Sequence, residues 1–69
     1  MTVNDAWVLI IRMGNKYLVG LPYTDTLMIR WSSSPYDAYP MHRKRIAKKV
    51  AERVGGEVVC FNPILGEIA

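Results

Sequence analysis

Ala6-Trp7-Val8-Leu9-Ile10-Ile11-Arg12-Met13 is followed at once by Gly14-Asn15 and then by Lys16-Tyr17-Leu18-Val19-Gly20-Leu21. β-branched and aromatic side chains dominate the first run, and a Gly-Asn pair supplies the positive φ that type I′ or II′ turns need. The stretch therefore reads as an antiparallel hairpin. A two-residue loop also fixes the register, setting Met13 opposite Lys16, Arg12 opposite Tyr17 and Ile10 opposite Val19. Alternation then sorts the faces. Trp7, Leu9, Ile11, Met13, Lys16, Leu18 and Gly20 share one side, and Val8, Ile10, Arg12, Tyr17, Val19 and Leu21 share the other. The first is the better core face. Gly20 on that face marks either the close approach of a helix backbone or a twist or bulge.

Working outward, Pro22 ends the second strand, and Thr26 to Trp31 alternates as a third, with Leu27, Ile29 and Trp31 on one face. Ser32 to Asp37 reads as a polar loop, with Asp37 as the N-cap of a helix starting at Ala38 and Pro40 in its first turn. Tyr39, Ile46, Ala47, Val50, Ala51 and Val54 fall in one stripe at helical period, and Gly55-Gly56 supplies the stop. Arg43 falls in phase with that stripe, which places it at a sheet rim with its stem buried and its head reaching water or a carboxylate. Glu57 to Phe61 is a fourth strand ended by Pro63, and Ile64 to Ala69 is expected to be frayed or docked on a partner. The expected fold is α+β in the order β-β-β-α-β: an antiparallel meander, one helix on one face, and a fourth strand beside the first and parallel to it.

The chain has 69 residues, room for a single domain spanning 1–69; 51% of them are apolar and 22% charged, the composition of a folded protein. A core of this size supplies roughly 3 to 5 kcal/mol, so self-association would help. A homodimer is expected, through the sheet face away from the helix (Val8, Ile10, Tyr17, Val19 and Leu21) or through an edge strand. Cys60 is the single cysteine, which excludes an intrachain disulfide and fits a reducing, cytoplasmic setting. The longest near-apolar run, Ala6 to Ile11, is far short of the roughly 20 residues that cross a bilayer, so neither a membrane protein nor a secreted one is expected.

Residues able to carry catalysis are sparse. His42 is the sole histidine and sits in a basic run beside Arg43 and Lys44, where it reads as a solvated helix residue. Cys60 lies between Val59 and Phe61 in a strand, the setting of an inert thiol. Ser32, Ser33 and Ser34 lack a nucleophile elbow and a His-Asp relay. One Cys and one His cannot close a zinc site, and Asp5, Asp25 and Asp37 lack calcium-loop spacing. Gly14-Asn15-Lys16 is a hairpin turn and not a phosphate loop. The reading is a protein without catalytic residues, metal or cofactor.

Charge distribution is the feature that departs from background. Arg43, Lys44, Arg45, Lys48, Lys49 and Arg53 against the lone acid Glu52 put +5 on the helix, and the rest of the chain carries −2 of the net +3. At helical period Arg45, Lys48 and Lys49 lie opposite the apolar stripe, with Lys44, His42 and Arg53 at its margins. An ordinary solvent face mixes signs, whereas this one accepts mutual repulsion, so an anionic partner is expected at Lys44, Arg45, Lys48, Lys49 and Arg53.

From Leu27 to Phe61 the layout is a strand ending in Arg30-Trp31, then Ser32-Ser33-Ser34-Pro35-Tyr36-Asp37-Ala38, a basic helix, Gly55-Gly56 and a Val58-Val59 strand. It resembles small accessory proteins encoded by phages and prophages of Gram-positive bacteria. The resemblance implies a non-enzymatic inhibitor that occupies the surface of a host protein or ribonucleoprotein complex in the bacterial cytoplasm, as anti-CRISPR proteins do with effector nucleases. The alternative is a phage regulator that binds DNA or RNA directly through the basic helix. No aromatic residues interleave its cations and no known reading module is present, which favours the inhibitor.

Overall fold

The computed structural model describes residues 6–20 and 29–69. Val8–Met13 (β1) and Lys16–Leu18 (β2) form the expected hairpin, with Arg12 opposite Tyr17 and Met13 opposite Lys16. In its turn Gly14 takes φ 62°, and among the described residues every positive φ belongs to glycine. Trp31–Ser32 (β3), Lys44–Val54 (α1), Glu57–Asn62 (β4) and Glu67–Ile68 (β5) follow. Among the described residues five strands make one antiparallel sheet in the order β3-β2-β1-β4-β5, with one α-helix packed on one face. The fold class is therefore α+β, and β4 lies beside β1 as the sequence suggests.

Its direction is the opposite of the expected one. β4 runs antiparallel to β1, with Leu9 opposite Cys60 and Ile11 opposite Val58. The reason lies in residues 38–43, which are not helical. Pro40 disfavours helical geometry in the residue before it. The Tyr39 amide instead donates to the Leu18 carbonyl at 2.9 Å, and Met41 and Leu9 exchange both backbone bonds at 2.8 Å as an antiparallel bridge. This segment takes the place beside β1 that the end of β2 was expected to fill. The Ile10–Val19 pair accordingly does not form, and the Val19 amide donates to Arg30 instead. One additional reversal before the helix turns α1 and β4 end for end.

Asp37 therefore caps no α-helix. It closes a 3-10 turn, Pro35–Asp37, and its carboxylate accepts the Ser32 hydroxyl at 2.7 Å. α1 starts at Lys44 with Arg43 at the N-cap, exposed and making no side-chain cap bond, so Arg43 is neither in the stripe nor at a buried rim. Ala47 and Ala51 are buried against Ile11, Leu18 and Met41, with Leu9, Ile29, Trp31, Val50, Val54 and Val58 around them. Tyr39 and Ile46, assigned to the stripe by period, are exposed. Of the expected third strand, residues 26–28 with Leu27 lie outside the described residues; β3 covers Trp31–Ser32, and Ile29 and Trp31 do pack on the helix side.

The second sheet face is not bare. Ile10 and Phe61 are only 1% and 2% exposed, and they cluster with Ala38, Val8, Tyr17, Val59 and Ile68. The Tyr36 ring meets Phe61 edge to face at 5.1 Å between centroids. The Ser-Pro-Tyr segment thus folds back over the strip reserved for self-association: Ile10 is core, Val8, Tyr17 and Val19 are half-buried, and Leu21 lies outside the described residues.

The tail is ordered as well. The fully buried Asn62 accepts the Ile64 and Leu65 amides on its side-chain oxygen at 2.9 and 3.1 Å, and this sets the turn into β5. There Ile68 pairs with Phe61. Of the two readings of Gly20, the close approach of a helix is removed. Among the described residues nothing lies within 4 Å of where a Cβ at Gly20 would sit, so the backbone of α1 does not approach it. The close approach is at Gly56, where a Cβ would stand 2.8 Å from Ile11 Cγ2 and 2.9 Å from the Arg12 carbonyl oxygen.

Candidate anionic-partner interface

α1 is held on the sheet by two alanines, whose small side chains let it lie close and leave its outer arc to charge. Lys44, Arg45, Lys48, Lys49 and Arg53 are all exposed. The structure thus brings the five expected cations together on one element. Among the described residues the one ion pair is elsewhere: Arg12 Nη2 to Glu57 Oε1 at 2.7 Å, across β1 and β4, a hydrogen bond that holds the guanidinium above its ordinary pKa. Among the described residues no carboxylate pairs with a ridge cation.

Their position along the helix is also informative. Helix N-termini carry partial positive charge, so acids in the first turn stabilise and cations there cost about 0.3–1 kcal/mol each. Here the first turn holds Lys44 and Arg45 and no acid, behind Arg43 at the N-cap, and only Arg53 in the last turn suits the dipole. Helix stability alone would have chosen the reverse arrangement.

Beside the ridge lies a groove that periodicity could not show. Because β4 returns antiparallel and β5 extends the sheet past it, the helix covers only part of the sheet. A cleft of about 510 Å³ remains between α1 and β4. Leu9, Val58, Cys60 and Ala69 line its sheet side; Lys44, Lys48, Ala51 and Glu52 line its helix side, and Gly56 and Glu57 also border it. Cys60, read from sequence as a buried thiol, is half-buried and faces this cleft. His42 is exposed and borders a separate, smaller cleft of about 310 Å³ with Tyr36, Pro40 and Phe61.

Among the described residues no three His, Cys, Asp or Glu side chains gather as a metal-ligand set, and no helix is long and apolar enough to cross a membrane. The chain matches no family model, no curated protein and no solved structure.

Proposed function

We propose that the chain is a small non-enzymatic binding protein that acts by occupying an anionic surface on a larger complex, with Lys44, Arg45, Lys48, Lys49 and Arg53 as its contacts. The observation that carries this reading is the placement of five exposed cations on one helix, none of them ion-paired among the described residues and two of them, Lys44 and Arg45, in a first turn where the helix dipole disfavours cations. A nucleoprotein machine presents such surfaces, acidic protein beside RNA phosphate. An inhibitor encoded by a phage or prophage, acting in its bacterial host on a complex such as a CRISPR effector nuclease, would work this way; the layout of Leu27 to Phe61 is what supports that origin.

A second reading, direct binding of DNA or RNA, draws on the length of the ridge. Eleven helical residues span about 16 Å, and duplex DNA carries about one charge per 1.7 Å of axis, so several phosphates come within reach. Against it, the exposed aromatics Tyr36 and Tyr39 precede the helix, so none stands among the cations to stack on a base. Pull-down from a Gram-positive lysate with and without nuclease, paired with salt titration against random DNA and RNA, separates the two. A protein partner retained after nuclease treatment, with naked nucleic acid unbound, is the expected result. Tight binding to bare nucleic acid that falls steeply with salt, losing about one unit of slope per Lys→Ala, would favour the second reading.

A further inference from the structure

A phosphate-gripping ridge needs no groove, yet one lies along its flank. Its volume, about 510 Å³, is within the roughly 300–1,000 Å³ of clefts that accept ligands. Leu9, Val58 and Ala51 give it apolar walls, with the Cys60 thiol among them. Lys44 and Lys48, one helical turn apart and so neighbours on the helix surface, border the same space. We infer that this groove receives an acidic segment of a partner protein, seating one apolar side chain against Leu9, Val58 and Cys60 while flanking carboxylates meet Lys44 and Lys48. The inference rests on α1 being the contact surface, and it narrows the partner from an anion in general to a polypeptide.

Three features select that occupant. Apolar walls give nothing to a hydrated sugar-phosphate chain, whereas burying a Leu or Phe side chain is worth about tenfold or more in affinity. Lys44, Arg45, Lys48 and Lys49 outnumber the lone acid Glu52 along this flank, an excess of positive charge that a neutral apolar ligand leaves unmatched and that carboxylates complement. The cleft is open to solvent along one side, so a free small molecule would fall short of the roughly 70–90% burial typical of its sites. A side chain on a peptide needs no such enclosure, since ridge contacts on either side supply the remaining affinity. Glu52 and Glu57 border the same cleft, with Glu57 already held by Arg12. Glu52 repels a second acid placed next to it, and so favours carboxylates over Lys44.

The probe is a fluorescein-labelled random copolymer of glutamate and phenylalanine, titrated by anisotropy beside polyglutamate and a random RNA of matched length. The expected result is binding of the copolymer at least tenfold tighter than of polyglutamate. Lys44→Ala/Lys48→Ala should erase that ratio, whereas Arg45→Ala/Lys49→Ala, with the same loss of charge on the same helix, should weaken both polymers and preserve it. The copolymer, and not polyglutamate, should also slow alkylation of Cys60 by N-ethylmaleimide, a readout of occupancy that requires no substitution. Equal affinity for the two polypeptides, or alkylation unchanged at saturating copolymer, overturns the groove inference and leaves the ridge reading standing. RNA bound with neither polypeptide bound overturns it in favour of direct nucleic-acid binding. Failure of all three polyanions to bind overturns both readings.

Discussion

Replacing Gly56 with alanine adds one methyl group where the chain leaves α1 and enters β4. That carbon would sit 2.8 Å from Ile11 Cγ2 and 2.9 Å from the Arg12 carbonyl oxygen, against the roughly 3.5–4.0 Å of relaxed carbon contacts. Neither neighbour can step aside. Ile11 is fully buried under the helix, and Arg12 sits mid-sheet, its residue paired with Tyr17 on one side and Glu57 on the other. The helix end must lift from β1, a forced repacking of the kind that costs about 1–3 kcal/mol. For a chain this short, whose whole stability is about 3–10 kcal/mol, a loss of about 2 kcal/mol lowers Tm by roughly 8–16 °C. Circular dichroism melts with urea titrations measure it, and Gly20→Ala, which meets nothing within 4 Å among the described residues, serves as control within about 1 kcal/mol of the parent. A Gly56→Ala protein melting at or above the parent temperature with an unchanged m-value would refute the close approach, and with it the position of α1 on β1.

Ala47→Asp should abolish the cooperative melt, because it sets an unpaired carboxylate in a fully buried position, while Val50→Asp at a half-buried position should lower Tm without unfolding the chain. Removing residues 64–69 should destabilise by about 1–3 kcal/mol in urea titration, since Ile68 is lost from the Phe61 cluster; an unchanged midpoint would mean the strand contributes nothing. Arg45→Glu should raise the melting temperature, by about 1 kcal/mol in stability, as an acid replaces a cation at the positive helix end, and at the same time weaken binding to polyanions. A fall in both would mean that Arg45 is a structural residue.

The hairpin was legible because its determinants are local. Gly14-Asn15 admits few turn geometries, and alternation from Leu9 to Leu18 names the core face whatever the rest of the chain does. The lower half of α1 was legible for the same reason: Ala47, Val50, Ala51 and Val54 repeat at 3.6, and Gly55 ends them in the left-handed conformation. The start was not. Ala38 and Tyr39 carry no mark that distinguishes a helix turn from an extended segment, and Pro40 is tolerated in the first turn of one and welcome in the other. What decides is the pair of backbone bonds between Met41 and Leu9, 32 positions apart, which no local window contains. From that one misreading came the parallel β4, the exposed second face and the missing groove. The five ridge cations were unaffected, since their exposure depends on the period of α1 and not on the direction in which the helix enters.

A basic helix on so small a protein sets two demands against each other. Stability would place acids in the first turn and alternate charges at i and i+4. This helix instead puts Lys44 and Arg45 in its first turn, and Lys48 and Lys49 follow them at i+4 as like-charge pairs. The cost falls where the fold can least bear it, on its one helix, and the compensations lie elsewhere in the chain. Tyr36 closes over Phe61, Asn62 gathers two amides to bring β5 alongside β4, and residues 38–41 stitch the entry of α1 to both β1 and β2. These contacts anchor the segments on either side of the helix without touching its outer face. Because the helix is positioned by what flanks it, its solvent side is free to carry unfavourable charge. A partner that neutralises Lys44 and Lys48 would then return to the complex some of the stability that the free protein forgoes, which couples binding to tightening of the helix start.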